Sequence, residues 1–148
     1  MPLGVGTRAD ALATRPILFV SDGRVRATIV TRILSGAARD AVNTPTTTLR
    51  AGMVLGQITA SKKLVQYDAG ASDGSQTIVG ILLDDTRVVN ENGEDQDQPV
   101  RVLMSGDVRA SQLLIKGAAF VGHTNEAAAR TALKAVGKCF LFDDEIAA

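Results

Sequence analysis

The sequence predicts a mainly β chain of the α+β class, compact, with one small helix near the C-terminus and a β-bearing extension at the N-terminus. Three observations carry this expectation. Short runs of β-branched and aliphatic residues recur along the chain, each closed by Gly or Asp-Gly turn residues. Only the stretch following Asn125 holds a helical apolar period. The apolar content is aliphatic, with no Trp, one Tyr (Tyr67) and four Phe. A chain of 148 residues is sized for one domain with a sizeable core.

Composition narrows the function classes. Formal net charge is zero, yet residues 1–50 hold seven arginines against three aspartates, and the remainder is correspondingly acidic. Those arginines are spread out and interleaved with apolar residues, so the dense basic patch of a nucleic-acid binder is missing. The scarcity of aromatics removes the stacking platforms that single-stranded nucleic acid needs. The single cysteine, Cys139, excludes an internal disulfide framework and fits a reducing compartment. No apolar run approaches the ~20 residues of a membrane span. Residues 1–16 lack the basic-then-apolar order of a signal peptide, so a soluble protein made in a cytoplasm is expected.

The elements follow in order. Residues 1–16, with Pro2, Gly4, Gly6 and Pro16, read as a flexible or extended arm. Ile17–Val20, the turn Ser21-Asp22-Gly23 and Arg24–Leu34 read as a hairpin. In its second strand Val25, Ala27, Ile29, Thr31 and Ile33 share one face. Arg24, Arg26, Thr28, Val30 and Arg32 share the other, which predicts a half-buried strand with an arginine-bearing outer face. Residues 35–41 fit a short helix or a loop. Asn43–Thr48 reads as an extended linker, which divides the chain into an arm (1–48) and a body (49–148).

The body opens with a strand at Met53–Thr59. Leu64–Tyr67 and Gln76–Leu83 follow as two strands around the Asp68-Ala69-Gly70 and Asp73-Gly74 turns, either as a hairpin or as a wide strand–loop–strand. After Val89 comes an acidic loop to Pro99, then a strand at Val100–Met104 and a turn at Ser105-Gly106-Asp107. Ser111–Ile115 fits one or two helical turns capped by Ser111. The helix is capped by Thr124 or Asn125 and stopped by Gly137, with Ala129, Ala132, Leu133 and Val136 forming an apolar stripe against a sheet. Lys138–Phe142 is a final strand and residues 143–148 an acidic tail.

The sequence carries no constellation of residues that predicts catalysis. His123 is the only histidine and has no nucleophile motif beside it, so it reads as a surface residue ahead of the helix. Cys139 reads as a buried structural thiol. Asp84-Asp85 and the acidic loop 91–97 lack the ligand spacing of a calcium loop and read as solvated. The fourteen glycines form no phosphate-binding pattern. No catalytic residue, cofactor, metal or small-molecule substrate is expected.

The order of features from Leu49 to Glu145 resembles the head decoration proteins of tailed bacteriophages, the phage lambda protein D family. The residues that carry the resemblance are Lys63-Leu64-Val65 with Tyr67-Asp68, the small-residue turn ending in Asp73-Gly74, and Val79-Gly80-Ile81-Leu82. The strand–Ser-Gly–strand of Val100–Val108 and Arg130-Thr131-Ala132 ahead of a terminal strand complete it. The resemblance implies a β-clip-like fold and a non-enzymatic homotrimer on the outside of the expanded phage head, cementing the major capsid protein. It also implies residence in the virion and no nucleic-acid or membrane partner. Within that reading, the arm is the expected capsid contact, through Arg15, Pro16, Ile17, Leu18, Phe19, Val20, Arg24, Arg26 and Arg32. Its backbone would pair with capsid strands while its arginines supply charge complementarity. The other reading has residues 17–34 complete the body's own sheet. Competing classes are a tail or baseplate component and a trimeric β-clip enzyme such as a nucleotide pyrophosphatase.

Overall fold

The computed structural model describes residues 17–18, 20–21, 24–25, 27–135 and 140–146. The chain enters through β1 (Val20–Ser21), which pairs antiparallel with β2 (Arg24–Val25), Val20 opposite Val25. That pairing is the one an Asp22-Gly23 turn would join; both turn residues, and Phe19 and Arg26, lie outside the described residues. β3 (Ala27–Leu34), β4 (Thr48–Leu49), β5 (Val54–Gln57) and β6 (Leu64–Gln66) follow. Next come β7 (Ile78–Leu82), β8 (Thr86–Arg87) and the eleven-residue β9 (Gln98–Val108). A 3-10 turn at Ala110–Gln112 leads to the hairpin of β10 (Leu114–Ile115) and β11 (Ala118–Ala119). The helix α1 (Glu126–Lys134), β12 (Leu141–Phe142) and the helical turn α2 (Asp143–Ile146) close the chain. The fold is mainly β with a small C-terminal helix, as its β-rich runs and single helical period require.

The main sheet has the order β12-β9-β3-β6-β5-β7, and β7 pairs again with β9. The pairings therefore close into a ring, β9–β3–β6–β5–β7–β9. β5, β7 and the centre of β9 are apolar on both sides because both sides are buried there. Neighbouring residues alternate between two cores. Val54, Ile81 and Leu103 join Tyr67, Leu113, Phe120 and Leu133 in one, while Leu55, Leu82 and Val102 join Leu34, Leu49, Met53, Leu64 and Val88 in the other. Truncating such a residue to Ala typically costs about 2–5 kcal/mol.

Several expectations change. β6 and β7 are not a hairpin: β5 lies between them, pairing with both, so 64–83 is the wide strand–loop–strand. Ser105-Gly106-Asp107 is not a turn but part of β9, whose partner β3 continues to Gly106. A bulge there sets Thr28 opposite Ser105 and Ile29 opposite Leu103. Ser111 does not cap a helix, and Leu114 and Ile115 are strand residues, because the turn at Lys116 (φ 54°) and Gly117 (φ 98°) reverses the chain into a hairpin. Residues 35–41 form turns and loop.

The largest change concerns the arm. Ala27–Leu34 pairs along its length with β9 and is a strand of the ring. Its faces are also inverted relative to expectation. Val30 packs against the core that contains Leu34, whereas Ile29 and Ile33 are 42% and 45% exposed. Alternation assigns residues to two faces but not which face meets the body, and here the β9 register decides. Asn43–Thr48 is no extended linker either. Asn43 donates Nδ2 hydrogen bonds to the carbonyls of Pro45 (3.0 Å) and Thr48 (2.9 Å), and Thr48–Leu49 pairs with β8.

Gly56 marks the tightest approach within the ring: an added Cβ would fall against the Ser75 backbone. Backbone cannot yield as a flexible side chain does. Gly56→Ala is expected to lower unfolding free energy by about 1–3 kcal/mol, the usual cost of overpacking, read from the urea midpoint.

Candidate functional site

The polar side chains mostly serve the framework. Asp40 is fully buried, and its carboxylate accepts from Arg50 Nε (2.8 Å), Arg50 Nη2 (3.0 Å) and the N–H groups of Val42, Asn43 and Arg50. Burial pushes the Asp40 carboxyl up, but the Arg50 side-chain and backbone hydrogen bonds outweigh it and hold the group below its usual range. Arg50 also donates to the Gly117 carbonyl at 2.6 Å, and a Cβ on Gly117 would collide with Asp40 Oδ1. This knot ties residues 40–50 to the β10–β11 turn.

A second knot holds the C-terminus. Arg130 donates Nε to Glu126 (2.8 Å) and grips Asp144 with both terminal nitrogens, at 2.9 and 2.6 Å. Its guanidinium lies 4.8 Å from the Phe142 ring centroid and 5.4 Å from that of Phe120, and the two rings stack at 5.8 Å. Such bidentate and cation–π contacts need the planar guanidinium. Hydrogen bonding to Asp144 raises the Arg130 pKa and depresses that of Asp144. Asp143 accepts from the Ala110 N–H at 3.0 Å, so the acidic tail docks on the body.

His123 and the acidic side chains are similarly occupied. His123 Nδ1 accepts from the Asn125 N–H at 3.0 Å, at the start of α1. Asn125 sits at the cap position without a side-chain cap bond, and Glu126 reaches back to the Gly122 N–H instead. Asp84 forms a two-point pair with Arg101, and Asp85 accepts from the Ala51 N–H. In the acidic loop Asp95 pairs with Arg39 and Asp97 with Lys63, both at 2.6 Å. Among the described residues no group of three or more His, Cys, Asp or Glu could hold a metal. Cys139 and Gly137 lie outside the described residues.

Of the expected contact residues, Ile17 is buried in a core, and its carbonyl accepts from the Arg109 N–H at 2.6 Å. It is therefore an anchor rather than an outward contact. Leu18 is partly buried and bridges Val108. Val20 and Arg24 belong to the β1–β2 pair. Arg32, on β3, is half-buried beside a groove with Thr31, Ile33 and Lys62. Arg15, Pro16, Phe19 and Arg26 lie outside the described residues. What the sequence reading missed is the exposed face of β3, with Ile29 and Ile33 outward; the period-2 pattern did signal two faces.

These features define a class: a small β protein whose ionisable side chains brace its own loops and which presents apolar side chains on one sheet strand. The family model of the bacteriophage lambda head decoration protein D matches residues 27–138, and the chain belongs to that family. The match opens at Ala27, well ahead of Leu49, as the place of β3 in the ring requires. No curated protein matches the chain. Membership makes this a phage head decoration protein, a capsid-binding structural component of the virion from a family that is not enzymatic.

Two stability outcomes follow. Arg130→Ala should cost about 2–3 kcal/mol, less than the 3–5 of a fully buried pair because Asp144 is 44% exposed, and Arg130→Lys should recover only part of it. Thermal or urea unfolding reads both. The depressed carboxyls of Asp40, Asp73, Asp84, Asp97, Glu126 and Asp144 set the pH response. The unfolded chain binds protons more readily than the folded one at these sites. Their stabilisation is thus complete above about pH 5 and lost as pH falls below the ordinary values of 3.8 for Asp and 4.5 for Glu. The urea midpoint should be flat above pH 5 and decline below pH 4.

Proposed function

We infer that the protein binds the outer surface of the expanded phage head as a homotrimer and stabilises it by bridging neighbouring copies of the major capsid protein. The family match over residues 27–138 is the observation that carries this reading. Residues 1–26 lie ahead of the matched region and act as the attachment segment, while the body begins at Ala27. Arg15, Pro16, Leu18, Phe19, Val20, Arg24 and Arg26 supply the capsid contacts, Arg32 continues them onto the body, and Ile17 fixes the segment just past β9 through Arg109.

The chemistry supports that division. Arginines suit bidentate pairing with surface carboxylates, and an extended segment offers backbone groups to a partner strand. Three such segments on one trimer act together, so avidity exceeds single-segment affinity by ~10²–10⁴.

Mixing purified protein with expanded, undecorated heads and imaging them tests the reading. Wild-type protein should sediment at three chain masses and occupy the head surface in hundreds of copies. Removing residues 1–16 should leave the oligomer folded but lower occupancy at least tenfold. Full occupancy by the shortened protein would show that residues 1–16 add nothing to attachment, and no occupancy by wild type would refute decoration by this mechanism.

A further inference from the structure

Among the described residues, β3 is paired along its length on one edge only. It pairs with β9 from Ala27 to Leu34, but its opposite edge meets β6 at the single position Leu34–Leu64, reinforced by the Ser35 N–H to the Leu64 carbonyl at 2.8 Å. Ahead of that point the chain that would continue β6 turns away. Ile58 donates to the Lys63 carbonyl and Lys62 to that of Ile58, closing a tight loop in which Lys62 holds φ 64°. Among the described residues no backbone hydrogen bond satisfies the outer edge of Ala27–Ile33. An unpaired edge of this length is a template for another strand.

A groove of about 390 Å³ runs beside it, lined by Thr31, Arg32 and Ile33 on one wall and Gln57, Lys62 and Lys63 on the other. Lys63 is neutralised by Asp97, but among the described residues no carboxylate pairs with Arg32 or Lys62. Among the described residues the groove lining is therefore net positive. Ile29 and Ile33 point to the opposite face from Arg32 and are exposed.

We propose that this edge is an acceptor slot for an extended acidic segment of a partner protein, added as a further strand beside β3. The incoming strand alternates: carboxylates on the side of Arg32 and Lys62, and β-branched or aliphatic residues on the side of Ile29 and Ile33. The segment ahead of Ile17 does not suit the slot, since it carries two arginines and one aspartate. The slot shares Arg32 with the capsid contacts proposed above, but its test uses peptide and protein alone, so its failure is distinguishable from a failure of capsid attachment.

The probe is a capped synthetic peptide of alternating Val and Glu, seven residues long, with a Val–Lys peptide as its control, added to the full chain. Amide hydrogen exchange read by NMR should show new protection at outward-facing amides within Ala27–Ile33 with the Glu peptide only. Arg32→Glu combined with Lys62→Glu should weaken Glu-peptide binding at least tenfold and admit the Lys peptide, with the unperturbed spectrum of the remaining residues certifying the fold. Equal binding of both peptides, protection confined to other strands, or no saturable binding at millimolar peptide would overturn the proposal. Protection of Ala27–Ile33 that grows with protein concentration and without peptide would place a second copy in the slot, and would overturn it equally.

Discussion

Everything in this fold depends on β9 being paired on both of its edges. Along one edge it carries β3, and on the other it meets β7 at Leu103 and Val102. That double pairing closes the ring and makes β9 the wall between two apolar cores, with Val100 and Val102 facing one and Leu103 and Val108 the other. At its centre Val102 and Leu103 face the two cores and must both be apolar, while Arg101 beside them is exposed and pairs with Asp84. Its bulge opposite Thr28/Ile29 sets the register, and the register in turn decides which side of β3 meets the body.

Closing a ring from short strands leaves loops whose polar groups must be satisfied. The Asp40–Arg50 knot does this for residues 40–50, where one buried carboxylate collects three backbone N–H groups and a guanidinium. Without the guanidinium the carboxylate would be an uncompensated buried charge, a situation worth several kcal/mol. Arg130 plays the corresponding part for α2, and its stacking over Phe142 couples ion pairing to the aromatic packing of the core.

Much of this was legible in the sequence, and what was not has physical causes. The strands at 54–57, 64–66, 78–82 and 141–142 and the helix at 126–134 follow from short-range pattern: β-branched runs, turn residues and a 3.6 period with Ala129 and Leu133 inward. What failed was non-local. That β5 intervenes between β6 and β7, that Ser105-Gly106-Asp107 continues a strand, and that Ile29 faces outward all depend on partners distant in sequence. Asn43–Thr48 misled because a Pro-interrupted polar run looks the same whether extended or folded back by Asn43. For the candidate site, the arginines marked the region but not the split between anchor and contact, since Ile17 is no more apolar than an exposed neighbour would be.

The two ends of the described chain converge on one spot. Leu18 and Phe142 both bridge Val108, and the Ile17 carbonyl holds the next residue, Arg109. Mechanically, this makes a single rivet of the end of β9. A tug on whatever precedes Ile17 is delivered to the strand with the most neighbours in the molecule, and from there to both cores and to the C-terminal strand at once. A load entering at the N-terminal side therefore meets the end of β9 before it meets the short β1–β2 pair.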